Sequence, residues 1–252
     1  MENKNKKEPI VEICCGSYED GLAAWNGGAK RIELNSALYL GGLTPSLGTL
    51  IFTKKNTELK VICMVRPRGA GFCYSQEEFN IMKADAEVLM NNGADVLAFG
   101  CLNNNSSIEE YMTKDLIDIC HRYNGEAVFH RAFDCTQNPY KAIQKLIDLG
   151  ADRVLTSGQK PKAMEGIELI KDLQEKYGDK IEILAGSGIN NTNAVEIIER
   201  TGIYQVHSSC KDWKKDCTTE NGTLTYAYAP APHNNDYEIV SQDLVEKLVK
   251  LF

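Results

Sequence analysis

The stretch Glu126 to Asp134 reads Glu-Ala-Val-Phe-His-Arg-Ala-Phe-Asp. Its apolar half suits a buried parallel strand, and it runs into His130, Arg131 and Asp134 where that strand should end. Three ionisable groups are costly inside a strand, so the sheet must open here onto solvent or a ligand. An imidazole and a carboxylate can move protons, and a guanidinium can hold an anion. Alternation lets only one of His130 and Arg131 face inward, and the sequence leaves open which.

The elements that must position these groups follow from a repeat. Four times a helical pattern ends in a glycine followed by a strand, at Gly28, Gly93, Gly150 and Gly202. Each glycine stands where a helix C-terminus needs a left-handed residue. Further strands are predicted over Ile10–Cys15, Lys60–Arg66, Glu126–Arg131 and Lys180–Ala185. Helices are expected near Tyr18–Asn26, Ser46–Lys54, Ser75–Asn91, Lys114–Tyr123, Pro139–Leu149, Lys162–Tyr177, Thr192–Arg200 and Gln242–Leu251. Eight strands alternating with eight helices over 252 residues predict a single α/β domain, a closed (β/α)8 barrel, spanning 9–252. A doubly wound open sheet is the rival, disfavoured because no Gly-x-Gly-x-x-Gly follows the first strand. Residues 1–8 form an expected flexible tail, polar and lysine-rich and unlike a secretory signal. A polar excursion over 208–240, with a β-like Thr223–Tyr228, precedes the last helix as a lid, an oligomer contact or a mobile loop.

Counting from the glycines places the barrel interior. The fourth residue is always aliphatic (Ile32, Leu97, Val154, Val206), which suits packing against helices; the fifth then points inward and is Glu33, Ala98, Leu155 or His207. Glu12, between Val11 and Ile13, points inward by the same alternation. Glu12, Glu33 and His207 should therefore meet on adjacent strands, where two carboxylates raise one pKa or hold a cation or donor between them. Arg66 is the nearest expected charge partner, with Cys14 and Asn35 one step higher at the rim. A structural reading stands beside this: a buried ion-pair layer, a satisfied histidine, and Cys14 as a small buried hydrophobe.

Two loops could bind an anion. Gly186, Ser187 and Gly188 follow the seventh strand and Ser208 ends the eighth, where many barrels hold phosphate on backbone N–H groups. Ser157 and Gly158 could add to this, and Arg66 and Arg68 bring guanidinium groups to the same opening. Such a mouth suits an enzyme on a small anionic or phosphorylated metabolite. Glu12 or Glu33 would act as base and His130 or His207 as acid/base.

A net charge of −7 and no dense basic face argue against nucleic acid, and no run is long enough to span a membrane. Nine cysteines, odd in number and without a Cys-x-x-Cys pair, fit free thiols in the cytoplasm and disfavour a zinc ribbon.

Six ordered motifs carry a family resemblance: Val11-Glu12-Ile13-Cys14, Arg31-Ile32-Glu33-Leu34, Gly41-Gly42-Leu43-Thr44-Pro45-Ser46, Met64-Val65-Arg66-Pro67-Arg68-Gly69, Phe129-His130-Arg131-Ala132-Phe133-Asp134 and Arg153-Val154-Leu155-Thr156-Ser157-Gly158. From Pro9 to Ser209 the chain resembles the CutC family of copper homeostasis proteins. The resemblance implies a barrel, a cytoplasmic location, a homodimer or homotetramer, and the binding or trafficking of Cu(I) with Cys14 as a metal ligand. Family members proposed to bind copper carry a second cysteine where this chain has Asn35.

Overall fold

The computed structural model describes residues 8–252, so all but Glu8 of the expected tail lies outside the described residues. Strands and helices alternate in the order β1 (Ile10–Cys15), α1 (Tyr18–Asn26), β2 (Arg31–Leu34), α2 (Leu47–Asn56), β3 (Lys60–Met64), α3 (Gln76–Asn91), β4 (Val96–Phe99), α4 (Glu110–Arg122), β5 (Glu126–Phe129), α5 (Pro139–Leu149), β6 (Arg153–Thr156), α6 (Ile167–Tyr177), β7 (Glu182–Gly186), α7 (Ala194–Thr201) and β8 (Gln205–Ser208). After β8 come β9 (Lys211–Lys215), β10 (Glu220–Asn221), β11 (Leu224–Thr225), β12 (Asp236–Val240) and finally α8 (Gln242–Val249).

The first eight strands are parallel and close into a barrel through β1 and β8, where Glu12 stands opposite His207. On the other side of β1, Cys14 stands opposite Glu33. All four repeat glycines have positive φ, between 73° and 96°, as their place after a helix requires. Local chemistry starts the helices: Ser75 and Glu78 form a reciprocal cap on α3, and Asn138 caps α5 ahead of Pro139.

Two apolar layers hold the barrel. Ile32, Leu97, Val154 and Val206 belong to the outer core between sheet and helices. A smaller inner core holds Ile62, Met64, Val96, Ala98, Val128, Leu155 and Leu184, all from β3 to β7. The inward positions of β8, β1 and β2 are instead polar, and Glu126, Arg153 and Glu182 add charge at the start of β5, β6 and β7, below the apolar inner core.

Several expected boundaries move. β3 stops at Met64 and β5 at Phe129, leaving Arg66 and His130 beyond the paired strands. Arg131, expected to end β5, instead opens a tight 3-10 turn over Arg131–Cys135. Helix α4 begins at Glu110, and α6 begins only at Ile167 because Gly158 and Gly166 pack backbone against backbone before it. A Cβ on Gly158 would lie 2.2 Å from the Gly166 carbonyl oxygen.

The excursion is ordered as a hairpin: β9 pairs antiparallel with β12, and β10 with β11 at its far end. Only Leu224–Thr225 of the β-like Thr223–Tyr228 is strand. The hairpin is tied to the barrel by the Val240 N–H, which donates to Asp20 Oδ1 at 2.8 Å, and by the Tyr39 and Tyr228 rings, 5.0 Å apart. Among the described residues no helix is long and apolar enough to cross a membrane.

Candidate functional site

Glu12 sits at the seam where the barrel closes, 1% exposed. Its Oε1 lies 2.8 Å from His207 Nδ1 and its Oε2 lies 2.7 Å from Arg31 Nε. Arg66 was the expected partner, and the structure corrects this: Arg31, two residues before Glu33 and inward by the same alternation, takes that role. Arg31 Nη2 donates to Gln205 Oε1, and Gln205 Nε2 to Glu182 Oε2. Arg153 then joins Glu182 to Glu126 through bonds of 3.0 and 2.8 Å. A chain of charges thus runs across the barrel floor. Burial works to raise the Glu12 pKa, but Arg31, with His207, carries it down to about 2.

Above Glu12, one ligand atom each from Cys14, Glu33 and His207 lies within 4.8 Å of the others. Asn35 Nδ2 holds this cluster, donating to Glu33 Oε1 at 3.0 Å and to Cys14 Sγ at 3.6 Å. Burial lowers the His207 pKa, yet its hydrogen bonds to Cys14 and Glu12 and the charge of Glu33 lift it well above the ordinary value. Burial raises the Cys14 thiol, with His207 opposing. Burial also raises Glu33, against the pull of His207. The expected meeting of Glu12, Glu33 and His207 is present, with Cys14 beside them.

The cluster opens into a cavity of about 530 Å³ at the C-terminal end of the strands, lined also by Met64, Arg66, Phe72, His130, Arg131 and Asp134. His130 is the inward member of its pair, 4% exposed and packed against Phe72. Burial and the Arg66 charge press its pKa down to about 3. Arg131 turns aside, donating to Asp134 Oδ2 and to Ser157 Oγ.

Asp134 accepts from four donors, Arg131 Nε, Thr156 Oγ1, the Ser157 N–H and the Gln159 N–H, and lies 2.9 Å from Ser157 Oγ. Its carboxylate fastens the β5 and β6 loops to each other. Arg66 does the same for the β2 and β3 loops, donating to the carbonyls of Leu40, Gly42 and Ala70.

The residues expected to cradle an anion do not converge. The Ser157, Ser187 and Ser208 hydroxyls donate to the carbonyls of Lys160, Pro161 and Ile189. Gly158 is pressed against Gly166, a Cβ on Gly186 would meet Leu155, and Gly188 lies against Lys162. Arg68 pairs with Glu78 at the head of α3. These groups complete loop backbones, a need that residue type alone does not reveal.

Lys211 and Glu238, an ion pair at 2.9 Å from β9 and β12, also line the cavity. Neither was expected there, because the polar excursion gave no sign of where it folds back.

The family model that matches is the CutC family, over residues 9–212. A CutC family protein of Treponema denticola is 46% identical over 95% of this chain and 97% of its own length. A human relative, named copper homeostasis protein cutC homolog, is 41% identical over 80% of this chain and 73% of its own. Among solved structures, a CutC protein of Streptococcus agalactiae superposes with a TM-score of 0.75 at 30% identity, covering 80% of this chain and 98% of that one. Phosphoribosylanthranilate isomerase of Pyrococcus furiosus, at 17% identity, TM-score 0.55 and coverage of 96% and 98%, shares the barrel alone. A family match over most of the chain, the relatives' identities and the barrel together establish that this chain belongs to the CutC family.

Proposed function

We propose that the protein serves copper homeostasis by holding Cu(I) at the barrel mouth, in the cytoplasm, with Cys14 and His207 as the principal ligands. The observation that carries this is the approach of Cys14, Glu33 and His207 donor atoms within 4.8 Å. A thiolate and an imidazole suit a soft cation; the carboxylate of Glu33 and the amide of Asn35 are poorer donors for it. The thioether of Met64, on the same cavity wall, is a third soft group.

What surrounds His207 supports the assignment. A metal-binding histidine commonly has its other ring nitrogen held by a carboxylate, which fixes the tautomer and the ring. Glu12 holds Nδ1 in this way, leaving Nε2 for the ion, and Arg31 holds Glu12. All nine cysteines are free, in keeping with a reducing compartment.

Anaerobic titration of the reduced protein with Cu(I) against a competing chelator tests the proposal. One ion per chain is expected, with the affinity of Cys14→Ala reduced on the order of 100-fold or more by loss of the thiolate. A protein without a stoichiometric site, or with one indifferent to that substitution, would overturn it.

A further inference from the structure

His130 begins the turn after β5, and its ring cannot easily swing. A Cβ on Gly100 would lie 2.6 Å from both His130 Cε1 and Nδ1, so the ring is seated directly on that glycine. The Phe72 and Phe129 rings stand 5.0 and 6.2 Å away. Nδ1 accepts the Ala132 N–H at 3.1 Å. An imidazole nitrogen that accepts carries no proton, so the neutral ring bears its one proton on Nε2. That Nε2–H is buried and has no hydrogen-bond partner among the described residues. A buried donor without a partner is costly, and a bound acceptor would remove the cost.

Glu33 presents the complementary group. Its Oε1 accepts from Asn35, while Oε2 is buried with no hydrogen-bond partner among the described residues. Glu33 is 3% exposed and lines the same cavity as His130. A single ion fills only a small part of about 530 Å³, whereas small organic ligands occupy cavities of this order. Met64, Phe72 and Leu155 give the cavity apolar wall between the two polar points.

We propose that the mouth also binds a small, uncharged hydroxy-carbonyl compound, with its carbonyl oxygen on His130 Nε2–H and a hydroxyl on Glu33 Oε2. Phosphate is not the group proposed, since the guanidinium groups of Arg66 and Arg68 are engaged by the Leu40, Gly42 and Ala70 carbonyls and by Glu78. A hydrocarbon would leave both polar atoms without partners. The inference goes beyond copper binding and shares only Glu33 and Met64 with it.

The test uses reduced, chelator-treated protein labelled with ¹⁵N at histidine, so that failure of the copper proposal does not bear on it. Hydroxyacetone, dihydroxyacetone and erythrulose, graded in length, are titrated in while the imidazole ¹⁵N resonances are followed. At least one compound is expected to saturate, moving the His130 Nε2–H signal while Nδ1 keeps the signature of an acceptor. His130→Gln and Glu33→Gln should each weaken that binding about tenfold or more, with melting temperatures showing both variants folded. If a variant does not fold, the wild-type His130 signal decides by itself. The proposal is overturned if none of the three compounds saturates, if the His130 signal stays still, or if both folded variants bind as wild type does.

Discussion

Glu12 touches His207 with one oxygen and Arg31 with the other, so it sets both the tautomer and the position of the imidazole. Glu12→Gln keeps the shape but removes the charge, and should lower Cu(I) affinity about 10- to 100-fold in chelator competition. Asn35→Cys should act oppositely. The Asn35 side chain already reaches Cys14 Sγ, and a second thiolate there should tighten Cu(I) by about tenfold or more in the same assay. Cu(I) takes a thiolate and a neutral imidazole, while Cys14 and His207 both hold their protons above their ordinary values. Affinity should therefore rise with pH through neutrality, by up to about two decades per pH unit if both protons leave, as titrations at several pH values will show. Glu12, Glu33 and His207 were legible because the repeat glycines set the parity of each strand. Arg31 obeyed that parity as well, but Arg66 drew attention as the charge at a strand's end. Nothing in its neighbours in sequence reveals the Leu40, Gly42 and Ala70 carbonyls that claim it.

Among the elements, the 3-10 turn Arg131–Cys135 is the one whose charges misled most. His130, just before it, faces the cavity, whereas Asp134 within it is an anchor for the following loop. Asp134→Ala would leave several donors of the β5 and β6 loops without an acceptor. It should cost about 2–4 kcal/mol in urea unfolding, more than an exposed carboxylate would. Helices α1 and α5 began and ended where capping residues and periodicity placed them. Helix α6 started late because the approach of Gly158 to Gly166 is a contact between distant backbone atoms, invisible to any local pattern. The glycine and serine loops suggest anion donors for a related reason: a hydroxyl engaged by a carbonyl of the chain looks the same in sequence as one awaiting phosphate.

Across the whole molecule, closure of the barrel was legible from eightfold alternation, and the hairpin after β8 was not, since its pairing joins segments about twenty residues apart with no apolar stripe between them. The ionic floor gives the barrel a dependence on acid. Glu182 is half-buried; burial works to raise it, but Tyr204, Arg153 and Gln205 bring its pKa from 4.5 to about 2. A carboxylate depressed in the folded state contributes stability above its unfolded pKa and loses it as pH falls through the folded one. Melting temperature should therefore fall from pH 4.5 towards 2. Glu182→Gln should melt lower than wild type at neutral pH, with the difference closing over that same interval. The floor matters in another way, because beneath the cavity the bore is filled by interlocked charges and by the packed aliphatics of β3 to β7. Among the described residues such a vessel opens at the rim, so a ligand held there and its successor would have to share one doorway.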